Sequence, residues 1–171
     1  MLPYPTMTNN RNLATEAFHA QRMNALRDSL MEKLFGRKNS LKSFPEKIKV
    51  NISNRKFLGM KDIPVEKIIG SLGRNCDFDD KFRPLKKHLR DRWVNVFTSL
   101  DTDNWPPILV HKIGEIYYVE DGHHRTSVAR ALGRAFISAE VWEYSVNSPK
   151  INISRPMFSS SRCHPAEACP A

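Results

Sequence analysis

Apolar residues recur at helical spacing from residue 13 to residue 35. Leu13, Ala17, Met23, Leu26, Leu30 and Leu34 suit one stripe, which predicts a helix with Asn12 as its cap and Gly36 as its stop. Residues 40–54 lose that period, are basic and polar and contain Pro45, so they predict a connector with one short helical turn. Ile63, Val65, Ile68 and Ile69 predict a first strand, with Pro64 confining its start to an edge or a non-bonding position. From Leu85 onward Leu89, Trp93, Phe97 and Leu100 recur mostly every four residues, a second amphipathic helix with Lys86, Lys87, Arg90 and Arg92 largely on its outer side.

Three elements follow in quick order. Ile108–His111 and Ile116–Val119 predict a hairpin around Lys112–Glu115, with Gly114 supplying the turn. A short helix from about His124 to Leu132 ends at Gly133, and residues 136–144 predict a last strand in which Ile137, Ala139 and Val141 alternate with Ser138 and Glu140. From Ser145 periodicity gives way to Ser, Pro and Arg, the composition of a flexible tail. The fold class predicted is α/β, a small mixed sheet with packed helices and an N-terminal helical extension. Its segments are an N-terminal helix and basic connector over 1–57, a folded domain over 58–145 and the tail over 146–171.

Composition adds bounds. A chain of 171 residues can bury a core without disulfide staples, and three cysteines, Cys76, Cys163 and Cys169, are an odd number that suits reduced thiols in the cytoplasm. The chain has no run of eighteen apolar residues and no signal-like start, so the expectation is a soluble protein with no membrane partner; a homodimer stays open. Lys and Arg outnumber Asp and Glu by 27 to 18, for a net charge of +9, which favours nucleic acid or small phosphorylated ligands.

Candidate chemistry gathers in "VEDGHHRTSVARALG", residues 119–133. A strand end, Asp-Gly, two histidines, an arginine and a helix put free backbone N–H groups and a positive helix end beside Arg125 and Thr126. Such a turn suits phosphate or carboxylate: Gly122 allows close approach, and Asp121 can cap the helix, hold a histidine tautomer or accept a proton. Capping alone needs neither both histidines nor the arginine. Neighbouring histidines at a helix start point in different directions, so no resident metal is read at Asp121, His123 and His124, nor at Cys163, His164 and Cys169. No glycine-flanked serine elbow marks a hydrolase. A second loop, "IIGSLGRNCDFDD", leaves the first strand through Gly70, Ser71, Gly73 and Arg74; it lacks the Lys-Ser/Thr end of a P-loop, yet it can converge with the first loop on one anion.

The segment from about Met60 to Tyr144, with "IPVEKI", "PPILVHKIGEIYYVEDGHHRTSVARALG" and "ISAEVWEY", resembles the N-terminal domain of the ParB/sulfiredoxin superfamily, and its DGHHR signature looks like that of a small bacterial branch. The resemblance implies an α/β domain that binds a nucleotide or nucleotide-like phosphates at the signature turn. Partition proteins of the superfamily carry Gly-Glu-Arg-Arg there and follow it with a DNA-reading domain for which this chain has no room. Sulfiredoxins carry Gly-Cys-His-Arg, and His123 stands where their cysteine would be. Free-serine kinases share Asp-Gly-His-His-Arg, which implies Asp121 near a transferred phosphoryl group; the acidic residue they place after the first strand is not evident at Gly70-Ser71.

The resulting expectation is a nucleotide- or phosphate-binding protein that takes ATP, ADP or CTP with magnesium. Gly70, Ser71, Gly73, Arg74, Gly122, His123, His124, Arg125 and Thr126 are the expected binding residues, and Asp121 and His124 are the expected catalytic groups of a small-molecule phosphotransferase. The rival expectation is a DNA-binding regulatory module without catalysis, using Lys86, Lys87, Arg90, Arg130 and Arg134.

Overall fold

The computed structural model describes residues 7–35, 40–45, 55–99 and 105–144. In chain order the elements are helix α1 (Met7–Phe35), strand β1 (Lys42–Ser43), β2 (Arg55–Pro64), β3 (Ile68–Ser71), helix α2 (Arg90–Thr98), β4 (Ile108–Ile113), β5 (Ile116–Asp121), helix α3 (His123–Ala131) and β6 (Phe136–Tyr144). The strands form one mixed sheet in the order β1-β3-β5-β4-β6-β2. The β1–β3, β3–β5 and β4–β6 pairs run parallel, and the β4–β5 hairpin and the β2–β6 pair run antiparallel. The fold is therefore α/β with a six-stranded mixed sheet and three helices, including the N-terminal one.

The hairpin, its turn at Gly114 (φ +59°) and the closing strand lie where the alternation predicts them. The region expected to hold one strand is different. Residues 55–64 form the long edge strand β2, a 3-10 turn over Val65–Lys67 breaks the chain, and β3 starts at Ile68 in the sheet interior. β2 escapes a pattern search because an edge strand buries little: along Arg55–Pro64 only Ile63 is fully buried, so no alternation shows. Pro64 closes that edge strand, where a missing N–H costs little. β1 lies inside the stretch expected to be a connector, while residues 46–54, where a helical turn is expected, fall outside the described residues, as do Gly36, Leu100 and the tail.

Helix α1 begins five residues before Asn12, so that residue is interior and caps nothing. Its packed face is also not the one expected. Ala14, Phe18 and Ala25 are buried, with Phe18 edge-on to Trp93 of α2, whereas Leu13, Met23, Leu26, Leu30 and Leu34 are exposed. The correction follows from size. Small Ala14, with the partly buried Ala17 of the expected stripe, joins the core around the single large ring of Phe18, and that seam carries fewer apolar residues than the outer stripe. Helix α2 is shorter than its periodicity suggests, with Lys87–Leu89 a 3-10 turn before Arg90, and Leu89 and Trp93 are its buried anchors.

The main core lies between the sheet and the three helices, around Trp93, Phe18, Phe78, Phe82, Ile108, Val119 and Val128. A smaller cluster of Phe44, Tyr118 and Tyr144 forms on its own beside it. Gly70 belongs to the sheet's packing, because a Cβ there would strike the Lys42 carbonyl and approach Tyr118 Cδ1 to 2.5 Å. Cys76 is disulfide-bonded, which departs from the expectation of reduced thiols.

Substitution distinguishes the two faces of α1. Phe18→Ala should cost about 3–5 kcal/mol of unfolding free energy, the range for a buried aromatic, whereas Leu30→Ala should stay within about 0.5 kcal/mol. Urea denaturation of the two variants beside the parent protein reads both; equal losses would mean that the outer stripe packs.

Candidate functional site: the first turn of helix α3

The turn between β5 and α3 is fixed by Gly122. Its φ of +99° is left-handed, and a Cβ would collide with Ile108 Cγ2 and lie 2.7 Å from Ile108 Cβ. Gly122 itself occupies the cap position, with no side chain capping the helix, so Asp121 does not cap it as the sequence suggested. The first bond inside the helix runs from the Thr126 N–H to the Gly122 carbonyl, 2.9 Å. The N–H groups of His123, His124 and Arg125 thus open the helix without intrahelical acceptors, at its positive end.

The two glycine-bearing loops do converge. Ser71, at the end of β3, has its Oγ 2.6 Å from His123 Nε2, and that same oxygen accepts the backbone N–H groups of Gly73 (3.2 Å) and Arg74 (3.0 Å). With both lone pairs used, the hydroxyl proton must be given to His123 Nε2. His123 therefore carries its own proton on Nδ1 and is neutral. Its pKa agrees: burial first, then the nearby Arg74 charge, push it from 6.5 down to about 4. Ser71 is fully buried and its oxygen is saturated, so the Ser–His contact ties two loops together and does not make a nucleophile.

His124 is 7% exposed and packs edge-on against Phe78. Its Nε2 is buried and has no hydrogen-bond partner among the described residues. Burial, followed by the charges of Arg92 and Arg74, lowers its pKa to about 4 as well. These two arginines, one from the β3 loop and one from α2, are the positive charges that act on both histidines of the helix start. Arg74 is half exposed and reaches Asp77 Oδ2 at 3.3 Å. Arg92, exposed on α2, did not figure among the expected site residues; its place next to the buried Trp93 was the available signal.

Arg125 and Thr126, also expected at the site, face inward. Arg125 donates to the carbonyls of Pro106 and Pro107 (the latter 2.8 Å) and to Asp121 Oδ2 (2.5 Å), clamping the entry to β4 onto the end of β5. Thr126 is fully buried, its hydroxyl turned back to the Gly122 carbonyl at 3.2 Å. Gly73 is exposed with open space around it, and the Asp121 side chain is 63% exposed. The cations of the nucleic-acid reading are scattered: Lys86 pairs with Asp77 (2.8 Å), Arg90 with Asp91 (3.1 Å), and Lys87 is exposed. Arg130 donates to the carbonyls of Val65 (3.2 Å) and Ile68 (2.5 Å), and Arg134 stacks over the Trp105 ring at 4.9 Å. No group of three or more His, Cys, Asp or Glu among the described residues is arranged to hold a metal, and no helix among them is long and apolar enough to cross a membrane.

With this geometry in hand the chain can be set beside known proteins. No family model matches it, and no curated protein does. The crystal structure of sulfiredoxin from Arabidopsis thaliana is similar over about half the chain, with a TM-score of 0.37 and 23% identity, covering 48% of this chain and 82% of that one. A likeness at that level assigns no chemistry, so function has to be argued from the residues themselves.

Two outcomes test this site. Gly122→Ala combines a left-handed φ with a clash against Ile108 and should cost at least about 3 kcal/mol, read by urea denaturation; a loss below 1 kcal/mol would mean that the turn relaxes. The second concerns pH. Each histidine binds its proton more weakly folded (about 4) than unfolded (6.5), so the unfolded chain holds more protons between these values. The stability each neutral ring contributes is complete above pH 6.5 and is lost as pH falls toward 4. His124→Gln should flatten that slope in urea midpoints taken across the window, and an unchanged slope would show that His124 titrates normally.

Proposed function

We propose that this protein binds the phosphate groups of a nucleotide at the first turn of α3, between that turn and the loop that follows β3. The observation that carries the reading is the uncapped helix start flanked by Arg74 and Arg92, with the buried His124 Nε2 left without a partner beneath it. Free N–H groups and a helix dipole favour an anion, and two guanidinium groups supply charge where both histidines are neutral. A neutral His124 protonated at Nε2 presents a further donor to the same anion. Arg125 and Ser71 act by holding the turn in shape, since their polar atoms are already committed.

ATP, ADP and CTP are the ligands this site suits, with magnesium carried mainly by the phosphates and Asp121 as an adjoining hard oxygen donor. The reaction it would support is phosphoryl transfer to a small hydroxyl compound, with magnesium neutralising the charge that develops on the phosphates. Asp121 is the group placed to take the proton of the attacking hydroxyl: it is exposed, borders the helix start and is oriented by Arg125. The nucleic-acid reading has less support, because Arg130 is spent on buried carbonyls and Lys86 and Arg90 already have carboxylate partners.

Calorimetric titration with ATP, ADP and CTP, with and without magnesium, tests the reading. At least one should bind, with Arg74→Ala and Arg92→Ala each weakening it about tenfold. Asp121→Asn should keep the binding and abolish any transfer to an added hydroxyl acceptor. Absence of binding by all three nucleotides would falsify the proposal, and full turnover in Asp121→Asn would remove the aspartate's role.

A further inference from the structure

A second concave site lies elsewhere on the domain. A cavity of about 470 Å³ opens between α1, the 3-10 turn after β2, the loop of residues 81–83 and the second half of α3. Its volume falls in the range of small-molecule pockets. Lys81, Arg83, Arg130 and Arg134 line it, against the single lining carboxylate of Glu66. Ser71, Arg74, His123 and His124 do not line it, so it is separate from the helix start.

The charges around this cavity are poorly balanced. Arg83 lies between Asp79 (2.6 Å) and Asp28 (2.8 Å), but Asp28 also serves Lys81 (3.3 Å) and Arg27 (3.7 Å), so two carboxylates answer three cations. Arg130 makes no salt bridge with a carboxylate: its terminal nitrogens donate to the carbonyls of Asp80, Val65 and Ile68, and its Nε is buried without a partner. Carbonyls satisfy N–H groups and leave the charge in place. Burial holds Arg130 below its ordinary pKa, with Asp79 and Asp80 acting on it only through space, and a partly buried guanidinium that no carboxylate pairs directly is costly. An anion entering the cavity would offset that cost. Arg134, its guanidinium carbon 4.9 Å from the centroid of the Trp105 ring, adds a further cation to the lining.

We propose that this cavity is a second binding site, for a small molecule bearing a carboxylate or phosphate group, with Lys81, Arg83, Arg130 and Arg134 as its cationic wall. The proposal is independent of nucleotide binding at the α3 start. A metabolite-sized ligand fits both the volume and the charge, since a long polyanion would need a wider row of open cations than one cavity offers.

The Arg130 side chain reports on the site directly. Its buried Nε–H should give a protected, separately resolved proton–nitrogen NMR signal that through-bond experiments can assign. Titration with inorganic phosphate and, separately, with malonate should move that signal along a saturable curve, and the probe that saturates at lower concentration names the preferred group. Lys81→Ala, a change at a mostly exposed side chain, should weaken the response about threefold or more while the protein stays folded. Arg74→Ala, which disables the other site, should leave the response intact. A signal that moves no further with either probe than with sodium chloride would overturn the proposal, as would a response abolished by Arg74→Ala, since the shift would then originate at the helix start.

Discussion

The close approach of Gly122 to Ile108 sets the position of nearly every group discussed above. Without a Cβ at that point, β5 can turn and start α3 against the side chain of β4. Once the helix starts there, four consecutive side chains find their partners: His123 reaches Ser71, His124 packs on Phe78, Arg125 reaches Pro106, Pro107 and Asp121, and Thr126 folds back on Gly122. One turn of helix thereby joins β3, the loop before β4, the end of β5 and the Phe78 loop. Ser127 extends the arrangement, accepting the Trp93 indole N–H at 2.9 Å and tying α3 to α2. A residue with a side chain at position 122 would move the start of the helix, and all of these partners would move with it.

The arginines divide by the direction in which their guanidinium groups point. Arg125 and Arg130 are turned inward onto carbonyl oxygens and act as cross-braces, each linking pieces of chain far apart in sequence. Arg74 and Arg92 lie near enough to the buried histidines for their charges to add to burial in lowering both pKa values. The division explains why net charge is a poor guide to function in this chain. A surplus of nine positive charges implies broad affinity for polyanions, yet part of that surplus is spent inside the fold. The charge left for the proposed ligands is local, at the α3 start and along the cavity beside Arg130.

How much of this could be read from sequence depends on how each feature is encoded. Local signals were legible: the hairpin with Gly114, the last strand and the helix that ends near Gly133 all rest on contiguous patterns. The two glycine loops were visible as loops, and their convergence is real, with Ser71 and His123 in contact. Long-range choices were not legible. Arg125 and Arg130 look like ligand hooks in a string of letters, because nothing in sequence shows that Pro106, Pro107, Val65 and Ile68 will present carbonyls to them. The face of α1 was misjudged for the same reason. Hydrophobic count favours the stripe through Met23 and Leu30, but burial was decided by what α2 offers, which is Trp93 set against Phe18. The edge strand β2 shows the converse case, a regular element with almost no hydrophobic signature because one of its sides meets no neighbouring strand among the described residues.

The two proposed anion sites are joined by a short covalent and hydrogen-bonded path. Arg130 holds the carbonyl of Ile68, the first residue of β3, and Ser71, the last residue of that strand, fixes the ring of His123. A ligand that drew Arg130 toward itself would pull on the same four-residue strand that presents Ser71 to the other site. Contact of this kind supplies a mechanical link; allosteric coupling needs more, namely that one ligand bind with different affinity when the other is present. β3 is stiffened against such a pull by its parallel neighbours on both sides and by the tight packing at Gly70, which leaves no room for the strand to slide past Tyr118. Movement of the Arg130 side chain gives up hydrogen bonds to the Asp80, Val65 and Ile68 carbonyls, whereas displacement of β3 breaks its pairing with both neighbouring strands. An anion at the proposed second site would therefore meet the Arg130 side chain first, with the paired strand and the helix start it supports held in place.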